Sequence, residues 1–138
     1  MNNYKLRDIQ VGLTEHFEVV VEQHTLDQFI LISNDDNPIH LDANAAVARG
    51  FKGRVVHGLL TGAFYSTLVG VHLPGEYSVL QTISIKFRHP VYVNERLVVQ
   101  GTVTHISESV NVIEIAGGIR NENNQLVSTA NITAGVSQ

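Results

Sequence analysis

The chain has 138 residues, of which 43% are hydrophobic and 16% charged, so it is long enough for one domain with a buried core. Nine basic against 13 acidic residues give a net charge of −4, which excludes a surface built to neutralise a nucleic-acid backbone. The lack of cysteine excludes disulfides, thiolate nucleophiles and zinc–thiolate sites, and leaves seven histidines as candidate chemistry. The N-terminus is polar with mixed charges, unlike a signal peptide, so we expect a cytoplasmic protein.

The first part of the chain predicts a strand followed by two helices. Residues 15–22 are apolar and β-branched enough for a short strand. The apolar spacing of residues 24–33 predicts a helix, with Thr25 as a possible cap. Asp42 is a good N-cap for a second, short helix, which Gly50 would close in the left-handed conformation.

An apolar segment over residues 57–71 predicts a helix that is hydrophobic nearly all round and therefore buried on every side. Its small residues recur every four positions and would line one face, which lets a backbone or a thin substrate approach: Gly58, Gly62, Ser66 and Gly70. A membrane span over residues 55–73 is the less favoured alternative, because this run is at the short end of the roughly 20 residues that a span needs.

After this helix the hydrophobic period changes to two. Alternating apolar residues predict long strands over residues 78–87 and 97–104. Two further strands, over residues 110–119 and 126–136, flank residues 121–124, a sequence suited to a tight hairpin. The order of strand, helices and antiparallel meander predicts an α+β fold in which one sheet wraps around the central helix. Because such a sheet leaves an unpaired edge, we predict a homodimer that continues it.

Three acids and a histidine crowd into residues 33–42, SNDDNPIHLD, which Pro38 makes a loop. Asp35 and His40 lie five positions apart across this rigid bend, so a carboxylate and an imidazole can point at one small volume as an acid/base pair. The alternative is a solvated turn in which the acids cap backbone amides and His40 only packs.

His57 and Gly58 stand at the start of the apolar helix. A helix N-terminus offers unpaired N–H groups, and a glycine there lets a carbonyl oxygen approach, so this segment can form an oxyanion hole. The alternative is that His57 is satisfied by local hydrogen bonds and Gly58 is a packing glycine. Since 17 positions separate His40 from His57, the chain can fold back and bring both features to one site.

DDNPIHLD followed by GFKGRVVHGLL resembles the pattern of the MaoC-like (R)-specific enoyl-CoA hydratases, whose signature is SGDxNPxHxD with a later HG at the central helix. LTGAFYSTLVG and LPGEYSVLQTISIKFRHPVYVNE are also similar to the family. The resemblance implies a single hot-dog domain over residues 1–138, with a curved antiparallel sheet around a central apolar helix. It also implies a hydro-lyase of fatty acid metabolism that adds water reversibly to trans-2-enoyl thioesters.

By position, the resemblance implies that Asp35 and His40 are the catalytic pair and that the Gly58 N–H binds the thioester oxygen. Three further residues are expected near the substrate: Asn37, His57 and Ser66. The glycine that precedes the aspartate in the family motif is Asn34 here, a residue type that tolerates left-handed backbone angles.

The chemistry that follows is a hypothesis. The Gly58 N–H stabilises an enolate as water adds at the β-carbon, and the acyl chain runs along the small-residue face of the central helix. Asp35 activates the water, while His40 orients it and supplies a proton at the α-carbon; which of the two is acid and which is base stays open. Neither a metal nor an organic cofactor is required.

Other functions stay open beside this one. A metal site would use ligand types that zinc or iron accept, either His40 with Asp42 or the set Asp35, Asp36 and His57. A thioesterase is less favoured, because the apolar helix has no carboxylate to activate water. A non-catalytic acyl-thioester-binding protein would be expected to lose Asp35 or His40, and this chain has both.

The carrier of the thioester, coenzyme A or acyl carrier protein, also stays open. The phosphates of the first or the acidic surface of the second would meet the same basic residues at the expected mouth of the site: Lys52, Arg54, Lys86 and Arg88. The alternative is that the basic cluster at residues 49–54 consists of solvated helix-end charges.

Overall fold

The computed structural model describes residues 1–137, in which five antiparallel strands form one sheet beside a central helix. The strands lie in the order β1-β3-β4-β5-β2. Their bounds are β1 (Thr14–Val20), β2 (Ser78–Phe87), β3 (Arg96–Ser107), β4 (Val112–Arg120) and β5 (Leu126–Val136). The predicted α+β class is confirmed.

The helices lie between the first two strands. They are α1 (Gln23–Ser33), α2 (Pro38–Leu41), α3 (Ala43–Ala48) and α4 (Gly58–Thr67), and α4 continues into a π-helical turn at Leu68–His72. Short 3₁₀ turns occur at Leu6–Asp8 and Glu108–Val110. All the residues of the candidate site therefore fall in or between α1 and α4, on one side of the sheet.

The core lies between α4 and the inner face of the sheet. Along β3 and β5 buried and more exposed residues alternate, as the period of two predicts. Tyr65 and Leu68 are fully buried where the helix meets the strands. Gly117 of β4 permits this close contact, because a Cβ there would come within 2.8 Å of Cε1 of Tyr65. The helix is thereby held at a fixed height over the sheet.

A pair of hydroxyl groups lies within this core. The Tyr65 hydroxyl and Oγ of Ser128 share a hydrogen bond of 2.8 Å. Burial raises the pKa of Tyr65, whereas the hydrogen bond to Ser128 lowers it. The phenol is therefore neutral at physiological pH, and its polar atom is satisfied where water does not reach.

The second half of the chain follows its sequence pattern closely. The strands predicted over residues 78–87 and 126–136 have the same bounds in the structure. The hairpin over residues 121–124 is confirmed: the N–H of Asn121 donates to the carbonyl of Gln125 at 3.0 Å, and Asn124 has a φ of 58°. The turn thus brings Arg120 opposite Leu126, and an irregularity next to it shifts the register of the rest of the β4–β5 pair by one residue.

Two predicted helix ends are confirmed and one is wrong. Oδ1 of Asp42 accepts from the N–H groups of Asn44 and Ala45 at 2.6 and 3.0 Å, and Gly50 has a φ of +88°. By contrast, α1 begins at Gln23 and not at a Thr25 cap, and no side chain caps it. Apolar periodicity cannot locate this N-terminus, because the first turn of the helix is polar and adds nothing to the apolar pattern.

The expectation that the apolar helix is buried on every side is wrong. Leu59 is 68% exposed, because a single sheet covers only one side of α4 and leaves the other uncovered in the isolated chain. At Gly62 of the small-residue face a Cβ would lie 3.1 Å from Cδ1 of Ile85 in β2, but this close neighbour is a side chain and not a backbone, and a Cβ at Gly70 would meet nothing within 4 Å. No helix within residues 1–137 combines the length and the apolar character needed to cross a bilayer.

Candidate active site

A sharp turn after α1 places Asp35. Asn34 has a φ of 56°, so it takes the left-handed conformation expected of a residue in the place of the motif glycine. Oγ of Ser33 accepts from the N–H of Asp35 at 3.1 Å, and Oδ1 of Asp35 accepts from the N–H of Asn37 at 3.3 Å. These local bonds fix the turn that carries Asp35, and about half of its side chain is exposed.

Asn37 starts the short helix that carries His40. Its Oδ1 accepts from the N–H of Ile39 at 3.3 Å and from Nη1 of Arg49 at 3.4 Å, and Pro38 occupies the first helical position, where its missing N–H costs nothing. Asn37 therefore caps α2, and it is not among the residues that line the cavity described below.

His40 is buried, and its partners define its tautomer. Nδ1 of His40 lies 2.6 Å from the carbonyl oxygen of Val55, an atom that can only accept, so Nδ1 carries the hydrogen. In the neutral ring Nε2 then has the lone pair, and it lies 3.9 Å from Oδ2 of Asp35. The acid/base pair predicted from the loop is thus brought together, with a gap too long for a direct hydrogen bond.

Arg54 fixes the main chain of His40. Its Nε donates to the carbonyl oxygen of His40 at 2.7 Å, and its Nη2 pairs with Oδ1 of Asp27 in α1 at 2.6 Å. The side chain of Arg54 is 15% exposed. Arg54 is therefore already engaged by two partners of its own chain and is not a free cation at the mouth of the site, contrary to the expectation for the thioester carrier.

His57 lies against both members of the pair. Its Nε2 is 2.9 Å from the main-chain oxygen of Asp35, and its ring stacks on that of His40 with centroids 3.7 Å apart and an interplanar angle of 20°. Phe29 packs against His57 at a centroid distance of 4.9 Å. The other ring nitrogen, Nδ1 of His57, is buried with no hydrogen-bond partner among residues 1–137.

Gly58 is the first residue of α4, and its N–H has no acceptor within the helix. The first intrahelical bonds run from the N–H groups of Leu60 and Thr61 to the carbonyl of His57, at 3.1 and 3.3 Å. A Cβ at position 58 would lie 3.0 Å from the ring of Phe87. Glycine at this position therefore lets the ring of Phe87 pack against the helix start, and it presents a free N–H at the positive end of the helix.

A cavity of about 700 Å³ joins these groups. Asp35, His40, His57 and Gly58 line it together. Its apolar walls come from residues of α1, β2, β5 and the connecting segments, among them Phe29, Phe51, Phe87, Val91 and Val127. The volume lies in the usual range of about 300–1,000 Å³ for small-molecule sites.

Three features of the cavity lining differ from the sequence expectations. Ser66 is exposed on α4, about two turns beyond Gly58, and is not among the lining residues. Phe29 and Phe51 do line the cavity but are not predicted to. They belong to different segments, and apolar periodicity marks them only as core candidates. Of the four basic residues expected at the mouth, Arg88 lines the cavity.

The same side chains form a cluster of metal-ligand types. Asp35, His40 and His57 each offer one ligand atom, and these atoms lie within 4.8 Å of one another. The lone pairs of the stacked His40 and His57 rings lie in two nearly parallel planes, whereas a metal requires lone pairs that converge on one point. The geometry therefore favours a hydrogen-bonded acid/base site over a metal centre.

Several curated proteins are similar to this chain, among them the following three. The 3-hydroxybutyryl-CoA dehydratase of Methylorubrum extorquens is 33% identical over 99 residues, which make up 72% of this chain and 63% of that protein. The (R)-specific enoyl-CoA hydratase of Aeromonas caviae is 36% identical over 80 residues, or 58% of this chain and 60% of that protein. The mitochondrial 3-hydroxyacyl-[acyl-carrier-protein] dehydratase of Arabidopsis thaliana is 28% identical over 124 residues, which make up 88% of this chain and 68% of that protein. The chain spans about three fifths of the length of the first two.

The fold and the family are shown by two further comparisons. A solved structure of an (R)-hydratase from A. caviae, involved in PHA biosynthesis, superposes with a TM-score of 0.91 at 26% identity, covering 95% of this chain and 99% of that one. The hot-dog architecture implied by the resemblance is thereby confirmed. The family model of the MaoC like domain matches residues 8–125. The chain belongs to the MaoC-like domain family.

Proposed function

We propose that this protein is an (R)-specific enoyl thioester hydratase and, in reverse, a 3-hydroxyacyl thioester dehydratase. One observation carries the proposal: Oδ2 of Asp35 and Nε2 of His40 face each other across 3.9 Å in a cavity that also holds the free N–H of Gly58. The names of the similar dehydratases and hydratases support the same reaction. We extend the proposal to one domain over residues 1–138, while the cytoplasmic location stays a prediction.

The gap between Asp35 and His40 fits one water molecule. A water about 2.8 Å from each atom would bridge 3.9 Å with an angle near 90° at its oxygen. Because a carboxylate and the lone pair of Nε2 are both acceptors, the water donates both of its hydrogens to them. Its own lone pairs are then free to attack a carbon atom in the cavity.

The tautomer of His40 determines which atom accepts a proton from the water. Nε2 accepts it as the oxygen bonds to the β-carbon, while the Nδ1–H bond to Val55 and the carboxylate of Asp35 stabilise the charged ring. His40 then returns the same proton to the α-carbon, so that water is added across the double bond and the enzyme is unchanged. In this cycle His40 is base and then acid, and Asp35 orients the water, which exchanges the roles toward the water that the sequence predicts for the two residues and keeps His40 as the donor to the α-carbon.

The Gly58 N–H receives the thioester carbonyl. Electron density moves to this oxygen when the β-carbon is attacked, and a fixed donor at the positive end of α4 stabilises it. The acyl chain extends along the apolar walls of the cavity, since Phe87 and Ile85 of β2 already occupy the space beside Gly58 and Gly62. The site thus supplies an acceptor pair for the water and a donor for the enolate.

A direct assay tests the function. We expect the purified protein to hydrate crotonyl-CoA, measured as the loss of enoyl-thioester absorbance, and to form the (R) product, measured by chiral chromatography. Activity is expected to survive a metal chelator, because no step needs a metal ion. Binding of acyl-CoA without turnover would instead indicate the non-catalytic alternative.

The carrier is proposed to be coenzyme A, with acyl carrier protein as the alternative. Arg88 lines the active-site cavity, and Lys52 lines a smaller cleft of about 200 Å³ that shares His89 and Pro90 with it. These cations suit the phosphates of coenzyme A but also an acidic protein. Turnover of matched crotonyl thioesters of the two carriers, compared at increasing chain length, decides between them.

We also propose that the protein is a homodimer joined through β2. Within residues 1–137, β2 pairs with β5 and no other strand, so its second edge has no partner. Its exposed apolar side chains include Val79, Leu80, Ile83 and Phe87. An unpaired edge with this composition is expected to be covered, and a second copy of β2 would extend the sheet across a two-fold axis.

Replacing Ile83 by Lys is expected to weaken the dimer by about 100-fold, because two like charges would meet near the axis. Sedimentation at micromolar concentration should show a dimer for the wild type and a monomer for Ile83→Lys. Val11→Lys, at a residue that is 63% exposed in the turn before β1, at the opposite edge of the sheet from β2, is the matched control and should stay dimeric. A wild-type protein that sediments as a stable monomer would contradict the proposal.

A further inference from the structure

We propose that His57 is a positioning residue, a neutral imidazole that fixes the position of Asp35 relative to the ring of His40. It does so by a hydrogen bond to the main chain of Asp35 and by a ring stack on His40. The inference rests on the proposed function and assigns to His57 a role other than contact with the substrate.

The first half of the role is the hydrogen bond. The main-chain oxygen of Asp35, 2.9 Å from Nε2 of His57, can only accept, so Nε2 carries the hydrogen. Asp35 lies in the loop of residues 34–37, outside any helix, and this bond ties its backbone to the start of α4. His57 thus sets where the carboxylate stands relative to the Gly58 N–H.

The second half is the stack. The rings of His57 and His40 overlap at a centroid distance of 3.7 Å, while Phe29 packs against His57 at 4.9 Å. His40 is held at its far end by the bond from Nδ1 to Val55. Fixed on an edge and on a face, the His40 ring cannot turn its Nε2 away from Asp35 without breaking one of these contacts.

The unpartnered nitrogen indicates which form of His57 the site holds. Nδ1 of His57 is buried without a hydrogen-bond partner in the described chain. A proton there would be a buried donor with no acceptor, beside a ring that must itself take up a proton during the reaction. The two histidines are therefore opposite tautomers, with hydrogen on Nε2 of His57 and on Nδ1 of His40, and only His40 changes charge in the cycle.

A positioning residue and a substrate-binding residue have different kinetic signatures. If His57 acts through Asp35 and His40, its loss lowers kcat and leaves KM nearly unchanged, because the geometry of the water changes and the cavity does not. If it binds substrate directly, KM rises. His57 lines the cavity, so both outcomes are physically open to measurement.

Two substitutions separate the two contacts. His57→Phe keeps a ring for the stack and removes the donor; His57→Gln keeps an N–H near the position of Nε2 and removes the ring. We expect His57→Phe to lower kcat for crotonyl-CoA by about 100-fold with KM within about twofold, and His57→Gln to recover at least about tenfold of that loss. His24→Gln, at an exposed residue of α1, should behave as wild type.

Nitrogen-15 NMR of the ring nitrogens gives a readout that does not need activity. The wild type should show the two opposite tautomers, and His57→Phe, which assigns the His57 signals by their loss, should leave the hydrogen of His40 on Nδ1, because the bond to Val55 and a ring for the stack are both kept. The proposal is overturned if both variants keep wild-type kcat, if KM rises as kcat falls, or if the two rings share one tautomer. A wild type inactive on enoyl thioesters that still shows the opposite tautomers would defeat the proposed function alone.

Discussion

Asp35→Asn is expected to lower the hydration of crotonyl-CoA by about 1,000-fold or more without unfolding the protein. Asparagine has nearly the same shape and keeps an oxygen for the N–H of Asn37, which lies 3.3 Å from Oδ1. It places an amide where the water must donate, and it removes the negative charge that faces the protonated His40 ring across 3.9 Å. Both effects act on the transition state and hardly on the fold, because the Asp35 side chain is about half exposed.

Asp36→Asn is the matched control for this prediction. It removes one negative charge from the next position of the same loop, and Asp36 does not line the cavity. Steady-state rates of the two variants should therefore separate by orders of magnitude, while their melting temperatures stay within a few degrees of each other. If Asp35→Asn retained more than a tenth of the wild-type kcat, Asp35 would not be the group that orients the water.

The second large effect is expected at Gly58, where proline removes the N–H and alanine keeps it. Proline is well tolerated at the first position of a helix, and His57 before it has a φ of −55° and a ψ of 134°, which is the conformation a following proline prefers. Both substitutions add a Cβ that meets the ring of Phe87 at 3.0 Å. The crowding at Cβ is thus shared by the two variants, and their difference reports the loss of the N–H together with the Cγ and Cδ atoms of the proline ring.

We expect Gly58→Pro to have a kcat about 100- to 1,000-fold lower than that of Gly58→Ala, the range found when one oxyanion donor is lost. The comparison is made on crotonyl-CoA, with circular dichroism to show that α4 is intact in both. Equal rates for the two variants would mean that the carbonyl oxygen is bound elsewhere, and the assignment of the oxyanion donor to Gly58 would be wrong.

The strands were predictable because their signal is local. Residues 78–87 and 126–136 alternate with a period of two, and the asparagines of residues 121–124 supply the left-handed angle that the hairpin requires, at Asn124. The exposed side of α4, at Leu59, could not be predicted in this way, since exposure depends on how far one sheet reaches around a helix. The hydrophobicity of a helix does not indicate how much of its surface the sheet covers.

Part of the candidate site could likewise be predicted from local sequence, and part could not. The meeting of Asp35 and His40 follows from five positions of sequence and a rigid proline, and the free N–H of Gly58 follows from its place at a helix start. The stack of His57 on His40 could not be predicted, because it joins residues 17 positions apart whose ring planes depend on the bond from His40 to Val55. Ser66 shows the converse: its four-residue spacing from Gly62 is clear, yet the helix turns it toward solvent.

Asn34 affects the denatured chain as well as the folded one. Glycine, which the family motif has at this position, visits far more backbone conformations when unfolded than a residue with a Cβ, and all of them are lost on folding. Asparagine is among the few other residue types that accept a φ of 56° at small cost, so it narrows the unfolded ensemble without straining the turn. The loop that presents Asp35 is consequently ordered at a lower entropic cost, which favours a rigid carboxylate before any substrate arrives.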